Sequence, residues 1–341
     1  MSANHLTRRS VLRYASALAP SSMLALPSVA RANKLSKDEI IIARPITVLN
    51  HAAAIDAALL LKTFEAEGLK VKVSSFRSWS EVTQLVMAEK AVYGLGAATL
   101  IRAAVAQKAP VRQLAMVTTL FPYNFWTRGD SGINALADVR GKKIQTVRTG
   151  ETLDLVWQEI LVDADLKMSD VTRIEGFDGF GALASKTVDA ANMNDSLFGK
   201  AKQLGFKRLL DYNEWRAKKG LQIGGNNLGW GTSLDTLRDH PDTTVAFLRG
   251  LAKATDRLRK DKELALKVMT AAPYRMSAED AEASWDLHRS HWIARMDPWA
   301  GDFQWDIEKA ALALNVPVAQ IPTKSVVAAE PMAAALAQTG I

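Results

Sequence analysis

Segments with strand and helix periodicity alternate through the first third of the chain, and this order constrains the fold more than any other feature of the sequence. Short apolar or alternating stretches are typical of strands, and apolar residues repeated at intervals of three and four are typical of helices. A βαβαβαβ order needs crossover connections, so it predicts a mostly parallel sheet with helices on both faces. The predicted strands are 40–43, 69–75, 93–96 and 111–119, and the predicted helices are 52–67, 78–88 and 98–107.

The pattern breaks at Phe121-Pro122-Tyr123-Asn124 and then starts again, which predicts a second α/β lobe. Beyond a glycine-rich extended stretch at 226–232 almost the whole chain is helical, and we expect this region to pack back on the first lobe. The predicted divisions are an export signal at 1–32, the first part of lobe one at 36–122, lobe two at 123–226, and a return to lobe one with a helical C-terminal region at 227–341. The strands predicted in lobe two are 143–147, 171–175, 188–192 and 206–210, its helices are 152–164, 180–186 and 195–204, and the C-terminal helices are 241–258, 262–270 and 277–291.

The N-terminal segment has the features of a cleavable export signal. Thr7-Arg8-Arg9-Ser10-Val11-Leu12-Arg13 matches a twin-arginine motif, and the apolar stretch 14–29 that follows is interrupted by two prolines. Ala30-Arg31-Ala32 fits a small-x-small cleavage site. The apolar stretch is shorter than the roughly 20 residues that a membrane-spanning helix needs. We therefore expect cleavage near Ala32, a periplasmic location and no membrane insertion of the mature chain.

Charge and cysteine content exclude several classes of protein. Residues 1–32 hold four arginines and no acidic side chain, so the net charge of +7 falls to +3 in the remainder, where 39 basic residues face 36 acidic ones. No block rich in lysine and arginine remains there, which argues against a nucleic-acid partner. The absence of cysteine excludes disulfides, cysteine-ligated metals, thiol catalysis and a lipid-anchored cysteine. We expect a freely diffusing monomer with no cofactor and no metal.

Several phrases in the middle of the chain resemble a known family of binding proteins. Gly150-Glu151-Thr152-Leu153-Asp154-Leu155-Val156-Trp157, followed by Ala164-Asp165-Leu166, resembles the second lobe of the solute-binding proteins of ABC importers. Upstream, Asp138-Val139-Arg140-Gly141-Lys142-Lys143-Ile144 is similar to the beginning of that lobe, and downstream His240-Pro241-Asp242 is similar to the start of the family's long helix. The resemblance covers residues 40–290 and is greatest to the nitrate, sulfonate, taurine and thiamine-pyrimidine-precursor binding proteins.

This resemblance implies a type II periplasmic-binding fold, in which two α/β lobes joined by two crossing strands hold a ligand between them. It also implies a role in import, in which the loaded protein docks on the permease subunits of an ABC transporter. In open α/β sheets ligands lie beyond the carboxyl ends of the strands, where helix N-termini offer free amides and a partial positive charge. We therefore expect a small organic solute to bind the loops at these strand ends.

The candidate ligand contacts are the residues that join predicted strand ends to the next helix. Those of lobe one are Asn50, His51, Arg77, Ser78, Trp79, Ala97 and Thr99, those of lobe two are Arg148, Thr149, Asp178, Phe180, Asn194 and Asp195, and Tyr123 and Asn124 lie at the predicted crossing. Ser78 and Glu81 also form a capping-box pattern, and a cap or a turn is the alternative role for each candidate. Arg77 and Arg148 favour an anion such as a sulfonate or carboxylate, whereas Asp178 and Asp195 favour an amine or a pyrimidine.

Two other classes of protein are open alternatives. A sensory module that presents its loaded form to a membrane receptor would have the same fold. The fungal thiamine-pyrimidine synthases, which this chain also resembles, are enzymes, but their cysteine-rich iron segment has no counterpart in a chain without cysteine. His288 and His291 lie three residues apart, and an amphipathic helix surface is favoured over a metal site because no third ligand is near them in the sequence. We expect a binding protein and not an enzyme.

Overall fold

Two five-stranded sheets flanked by helices make up most of the chain in the computed structural model, which describes residues 39–45, 52–76, 78–106, 108–149, 152–220, 228–293, 307, 311 and 315–341. The strands are β1 (Ile40–Pro45), β2 (Val71–Phe76), β3 (Tyr93–Leu95), β4 (Val111–Met116), β5 (Tyr123–Thr127), β6 (Lys143–Thr146), β7 (Thr172–Glu175), β8 (Ala190–Asn194), β9 (Lys207–Leu210) and β10 (Gly229–Ser233). The helices are α1 (Ala54–Leu60), α2 (Thr63–Ala66), α3 (Trp79–Met87), α4 (Ala97–Ala106), α5 (Thr152–Val162), α6 (Gly179–Ala184), α7 (Phe198–Gln203), α8 (Tyr212–Lys218), α9 (Leu234–Asp239), α10 (Pro241–Lys260), α11 (Lys262–Thr270), α12 (Ala278–His288) and α13 (Glu330–Ala337). This architecture confirms the predicted α/β fold with a helical C-terminal region. Within the described ranges, no helix combines the length and apolarity that crossing a membrane requires.

In each sheet one strand is antiparallel to its two neighbours. The first sheet has the order β2-β1-β3-β10-β4, and β10 is antiparallel to β3 and β4. The second has the order β7-β6-β8-β5-β9, and β5 is antiparallel to β8 and β9. The other neighbouring strands are parallel, as predicted. The four strands of each sheet that share a direction therefore end at one edge, which we call the carboxyl edge.

A short connection joins the two carboxyl edges. β4 ends at Met116, and β5 begins at Tyr123, whose Cα partner is Asn194, the last residue of β8. Seven residue steps span at most about 25 Å. The side-chain amide of Asn213 stabilises this connection. It accepts a hydrogen bond from the Phe121 N–H and donates one to the Phe121 carbonyl, both at 2.9 Å. Both carboxyl edges therefore lie within reach of the same few residues.

The core of the first sheet forms against the 20-residue helix α10. Phe247 on this helix stacks on Tyr93 at 4.0 Å and on Phe64 at 5.6 Å between ring centroids. Gly250 permits this approach, since a Cβ atom there would lie 2.8 Å from Cδ1 of Phe64. Pro241 begins the helix, where its missing N–H would have had no helical partner. α10 thus fixes α1 and α2 against the sheet.

The core of the second sheet is built around two aromatic side chains. Phe125 on β5 meets the edge of Trp157 on α5, with ring centroids 4.5 Å apart. Both side chains are buried, and the Trp157 indole N–H donates to the carbonyl of Gln145 at 3.0 Å. Because Gln145 belongs to β6, this bond ties the helix to the strand whose carboxyl end it follows. The helix and the strand end are consequently held as one unit.

The C-terminal segment covers the outer edge of the first sheet. Gln113 on β4 donates its backbone N–H to the carbonyl of Val326 at 2.8 Å and accepts from the N–H of Ala328 at 2.9 Å. β4 would otherwise present an unpaired edge, which is a template for association with other chains. α13 follows this pairing and packs against α10.

The structure differs from the predicted elements in three places. The single helix predicted for 52–67 is two helices, α1 and α2, because Lys62 adopts a left-handed backbone conformation with φ of 56°. The predicted break at Phe121–Asn124 contains the start of a strand, β5. Helix α8 was not predicted, and the bounds of α13 were not predicted within the helical C-terminal region. The first difference is a local turn that helical spacing does not reveal, and the others depend on pairing and packing with distant parts of the chain.

Glu67, which follows α2, provides a pH-dependent link between that helix and α10. Its carboxylate is almost fully buried and accepts hydrogen bonds from Arg249 at 2.6 Å and Lys253 at 2.7 Å. Burial raises the pKa of Glu67, but the bonds from Lys253 and Arg249 outweigh it and leave the pKa below its ordinary value. The ionised form is therefore favoured by folding, and its contribution is lost as the pH falls.

Glu67→Gln is expected to lower the free energy of unfolding by about 1.5 kcal/mol at neutral pH, since it removes charge-assisted bonds. The difference from wild type should shrink as the pH falls below about 4.3, where the glutamate of the unfolded chain becomes protonated. Urea unfolding across this pH range measures the effect. Glu65→Gln, on the exposed side of the same helix, is the control and should change little. A constant difference at all pH values would contradict the assignment.

Candidate functional site

The loops at the carboxyl edge of the first sheet are held by short-range hydrogen bonds. Ser78 caps α3, because its hydroxyl accepts from the N–H of Glu81 at 3.1 Å. Thr99, in the first turn of α4, donates to the Gly96 carbonyl at 3.0 Å and accepts from Thr83 at 2.8 Å. Trp79 is half-buried and packs against the core of the first sheet. The structure thus places these three candidates at strand ends, in capping and packing contacts.

Other candidates of lobe one cannot be located in the same detail. Asn50, His51 and Arg77 lie outside the described residues. Ala97 is placed as the first residue of α4, immediately after β3 and Gly96. Their predicted contact with a ligand stays a prediction.

In the second sheet, β6 is followed at its carboxyl end by residues 147–149, which we call the β6 loop. Val147 is buried, whereas Arg148 and Thr149 are exposed and directly precede the region where α5 begins. Among the described residues, no hydrogen bond or ion pair holds the guanidinium of Arg148. A helix N-terminus carries a partial positive charge, so a cationic side chain beside it creates a favourable place for an anion.

Arg173 on β7 supports this loop from the neighbouring strand. It donates to Oγ1 of Thr149 at 2.7 Å and to the Val147 carbonyl at 3.4 Å. Its guanidinium also pairs at 2.7 Å with the carboxylate of Asp154, which is fully buried in the first turn of α5. Sequence patterns did not indicate this role, because Arg173 occupies an ordinary position in an alternating strand.

Two further candidates lie where the loop after β7 meets α6. Asp178 is exposed and caps α6 by accepting from the Gly181 N–H at 2.8 Å. Phe180 is half-buried and packs against Phe206, with ring centroids 5.8 Å apart. Phe177, which was not predicted as a site residue, is 69% exposed in this loop. An exposed aromatic ring beside a polar loop offers an apolar contact next to the exposed donors of Arg148 and Thr149.

The candidates at the crossing have structural partners. Asn124 is buried and accepts from the Tyr212 N–H at 2.9 Å. Asn194 accepts from the Ser196 N–H at 3.0 Å and donates to the Pro122 carbonyl at 3.4 Å. Tyr123 is half-buried and faces Phe121, with ring centroids 5.7 Å apart. Asp195 begins the turn that follows β8. The structure therefore brings Tyr123, Asn124, Asn194 and Asp195 together at one connection.

α12 from the C-terminal region reaches this connection. It packs on the turn at Asp195–Leu197, and the carboxylate of Asp280 lies against the backbone of Gly199. After α12, His291 shares a hydrogen bond with the Thr119 hydroxyl at 2.9 Å, and burial lowers the pKa of His291. His288 is fully buried against Trp292, so the interpretation of this pair as a helix surface is wrong for His288. Within the described ranges, no group of three potential ligands could hold a metal ion.

Comparison with known proteins identifies related sequences and folds. The model of the family described as NMT1/THI5 like matches residues 53–265. No curated protein is significantly similar in sequence to the chain. Among solved structures, the alkanesulfonate-binding protein SsuA from Xanthomonas axonopodis pv. citri, bound to MOPS, has 16% identity and a TM-score of 0.67, with 86% of this chain and 97% of that chain covered.

Two other solved structures show how widely the fold is used. The periplasmic aliphatic sulphonate binding protein SsuA from Escherichia coli has 16% identity and a TM-score of 0.68, with 86% of this chain and 92% of that chain covered. The desulfurization enzyme DSZB has 14% identity and a TM-score of 0.62, with 88% of this chain and 99% of that chain covered. At these identities the likeness establishes the fold alone, and the same fold serves binding proteins and an enzyme.

Proposed function

The chain belongs to the NMT1/THI5-like family, and from that premise we propose that it is the periplasmic substrate-binding protein of an ABC transporter. It captures a small organic anion, such as a sulfonate or a carboxylate, between its two carboxyl edges and delivers it to the membrane permease. The observation that carries the proposal is the exposed pair Arg148 and Thr149 at the end of β6, beside the start of a buried helix. The solved sulfonate-binding proteins of the same fold support the ligand class.

The alternative ligand is an amine or a pyrimidine held by a carboxylate. Asp178, one of the two candidate carboxylates, is exposed, but it already accepts a backbone N–H as a helix cap. Among the described residues 147–149 that follow β6, Arg148 and Thr149 are exposed, and both side chains carry hydrogen-bond donors. The charge of Arg148 therefore favours the anion.

A role as a binding protein is also favoured over a role as an enzyme. The chain has no cysteine, so a thiol nucleophile is excluded. Export in the folded state through a twin-arginine signal, with cleavage near Ala32, is the route that we propose to the periplasm. Determining the N-terminal residue of the exported protein tests the cleavage site. A sensory role would use the same binding step and would differ only in the membrane partner.

The proposed ligand class is tested by calorimetry with ethanesulfonate, hexanesulfonate and their neutral sulfonamides. The sulfonates should bind and the sulfonamides should not. Arg148→Ala should weaken sulfonate binding by about 1.5–3 kcal/mol, which is the contribution of a charge-assisted hydrogen bond. The melting temperature of the unliganded variant should stay nearly that of wild type, because Arg148 is exposed.

Lys142→Ala is the matched control, since this cation lies at the opposite end of β6 and donates to the Ser131 carbonyl at 3.2 Å. It should bind sulfonates with wild-type affinity. Equal affinity of wild type and Arg148→Ala would remove Arg148 from the site. Binding of the sulfonamides as strongly as the sulfonates would overturn the anionic ligand class.

A further inference from the structure

We propose that Arg173 is a positioning residue that orients the hydroxyl group of Thr149. The hydroxyl proton then points toward the ligand, and the β6 loop favours ligands that carry anionic oxygens. This inference rests on the proposed function, because it assumes that the loop contacts the ligand. It gives Arg173, on the neighbouring strand β7, a part in distinguishing a sulfonate or carboxylate from a cation of similar size.

The polarity follows from the chemistry of the guanidinium group. Arginine has five N–H donors and no acceptor, so in the 2.7 Å contact Thr149 must be the acceptor. The hydroxyl proton of Thr149 is then directed away from Arg173, and the side chain is exposed. The bond occupies one of the two lone pairs of the hydroxyl oxygen and leaves its proton to point outward as a donor.

The guanidinium of Arg173 also donates to a backbone carbonyl of the loop. Its Nη2 lies 3.4 Å from the carbonyl oxygen of Val147, the residue that follows β6. The side chain of Arg148, between the two contacts, can only donate. Among the described residues 147–149 of this loop, the exposed side chains therefore present mainly donors, which match the oxygens of an anion better than they match an ammonium group.

Asp154 holds Arg173 in this position. Its carboxylate is 1% exposed and lies 2.7 Å from Nη2 of Arg173, and it also accepts from Nε2 of Gln158 at 2.9 Å. Turning away would cost Arg173 its ion pair with a buried carboxylate, so the pair favours the orientation in which Arg173 contacts Thr149. The pair also cancels a negative charge that would otherwise lie under the anion site. The Thr149 hydroxyl is thus oriented as a donor before the ligand binds.

Thr149→Val tests the hydroxyl with little change of shape and leaves the pair of Arg173 and Asp154 intact. Binding of ethanesulfonate, measured by calorimetry, should weaken about tenfold, whereas Thr149→Ser should bind within about threefold of wild type. The melting temperature without ligand should be similar for both variants, because Thr149 is exposed.

Arg173 is tested by the double variant Arg173→Met with Asp154→Asn, which removes both charges and so avoids an unpaired buried carboxylate. Its sulfonate affinity should also fall about tenfold. Adding Thr149→Val to this double variant should cause little further loss, since both changes act through one hydroxyl. Additive losses would mean that Arg173 acts only on the general structure of the loop, and would overturn the inference.

The outcomes separate the inference from the proposed function. If wild type binds ethanesulfonate and Thr149→Val binds it equally well, the inference is wrong and the proposed function stands. If wild type binds neither ethanesulfonate nor the matching carboxylate, propionate, the proposed ligand class is wrong, and the inference is decided by titrating inorganic sulfate and following the backbone amide of residue 149 by NMR. A shift in wild type that Thr149→Val loses supports the inference, and no shift overturns it.

Discussion

Gly179→Ala is expected to lower the free energy of unfolding by about 3 kcal/mol, at the upper end of the range for overpacking. Gly179 begins α6, and a Cβ atom there would overlap the carbonyl oxygen of Asn192 in the central strand β8. It would also lie 3.0 Å from Oε1 of Gln145. The carbonyl belongs to a paired strand and cannot move without breaking the sheet. Urea unfolding followed by circular dichroism measures the loss.

Gly176→Ala, in the same loop, is the matched control. A Cβ atom at Gly176 meets no atom within 4 Å, so this change should leave stability within about 0.5 kcal/mol of wild type. Because both variants add one methyl group to one loop, a difference between them isolates the contact with β8. Equal stability of the two variants would show that α6 can shift away from the sheet at no cost.

Trp157→Ala is expected to cost about 3–5 kcal/mol, the usual range for removing a large aromatic side chain from a core. Trp157 is fully buried on α5, packs edge-on against Phe125, and donates to the carbonyl of Gln145. The substitution therefore removes apolar contacts and also leaves a buried carbonyl without its side-chain donor. The midpoint of urea unfolding measures the change.

Two further variants separate the contribution of the indole hydrogen bond from that of burial in the core. Trp157→Phe keeps an aromatic ring but removes the indole N–H, so its loss should lie between those of wild type and Trp157→Ala. Val162→Ala, at the end of the same helix, removes apolar atoms from a residue that is 69% exposed and should cost less than about 0.5 kcal/mol. Because alanine has a higher helix propensity than valine, a large loss for Val162→Ala would show that α5 is sensitive to side-chain truncation outside the core as well.

The fold could be predicted from the sequence wherever local spacing determines the element. The repeat of β6, α5, β7 and α6 appears as alternation in the sequence and as parallel pairing in the structure. The predicted capping role of Ser78 is also confirmed, because a cap involves residues only three positions apart. β5 was missed, since its pairing with β8 joins residues far apart in the chain. The turn at Lys62 was missed because a left-handed lysine has no signature in the spacing of apolar residues.

In the candidate site, too, only the residues whose positions follow from local spacing could be predicted. Residues next to strand ends, such as Arg148 and Thr149, could be selected from their positions between a predicted strand and a predicted helix. Arg173 could not, because its contact with Thr149 joins two strands through a long side chain. Asn213 likewise acts on Phe121 from a helix that was not predicted. Supporting residues of this kind become visible only when the order of the strands is known.

The place of β10 in the first sheet has a consequence for synthesis of the chain. Of the strands that the structure describes, β10 is the last to be made, yet it lies between β3 and β4, which are made long before it. The second sheet uses only strands from Tyr123–Leu210 and is complete while the ribosome is still adding the strand that the first sheet lacks. Domains generally fold as units during synthesis, so we expect the second sheet to fold before the first, although synthesis of the first sheet begins earlier.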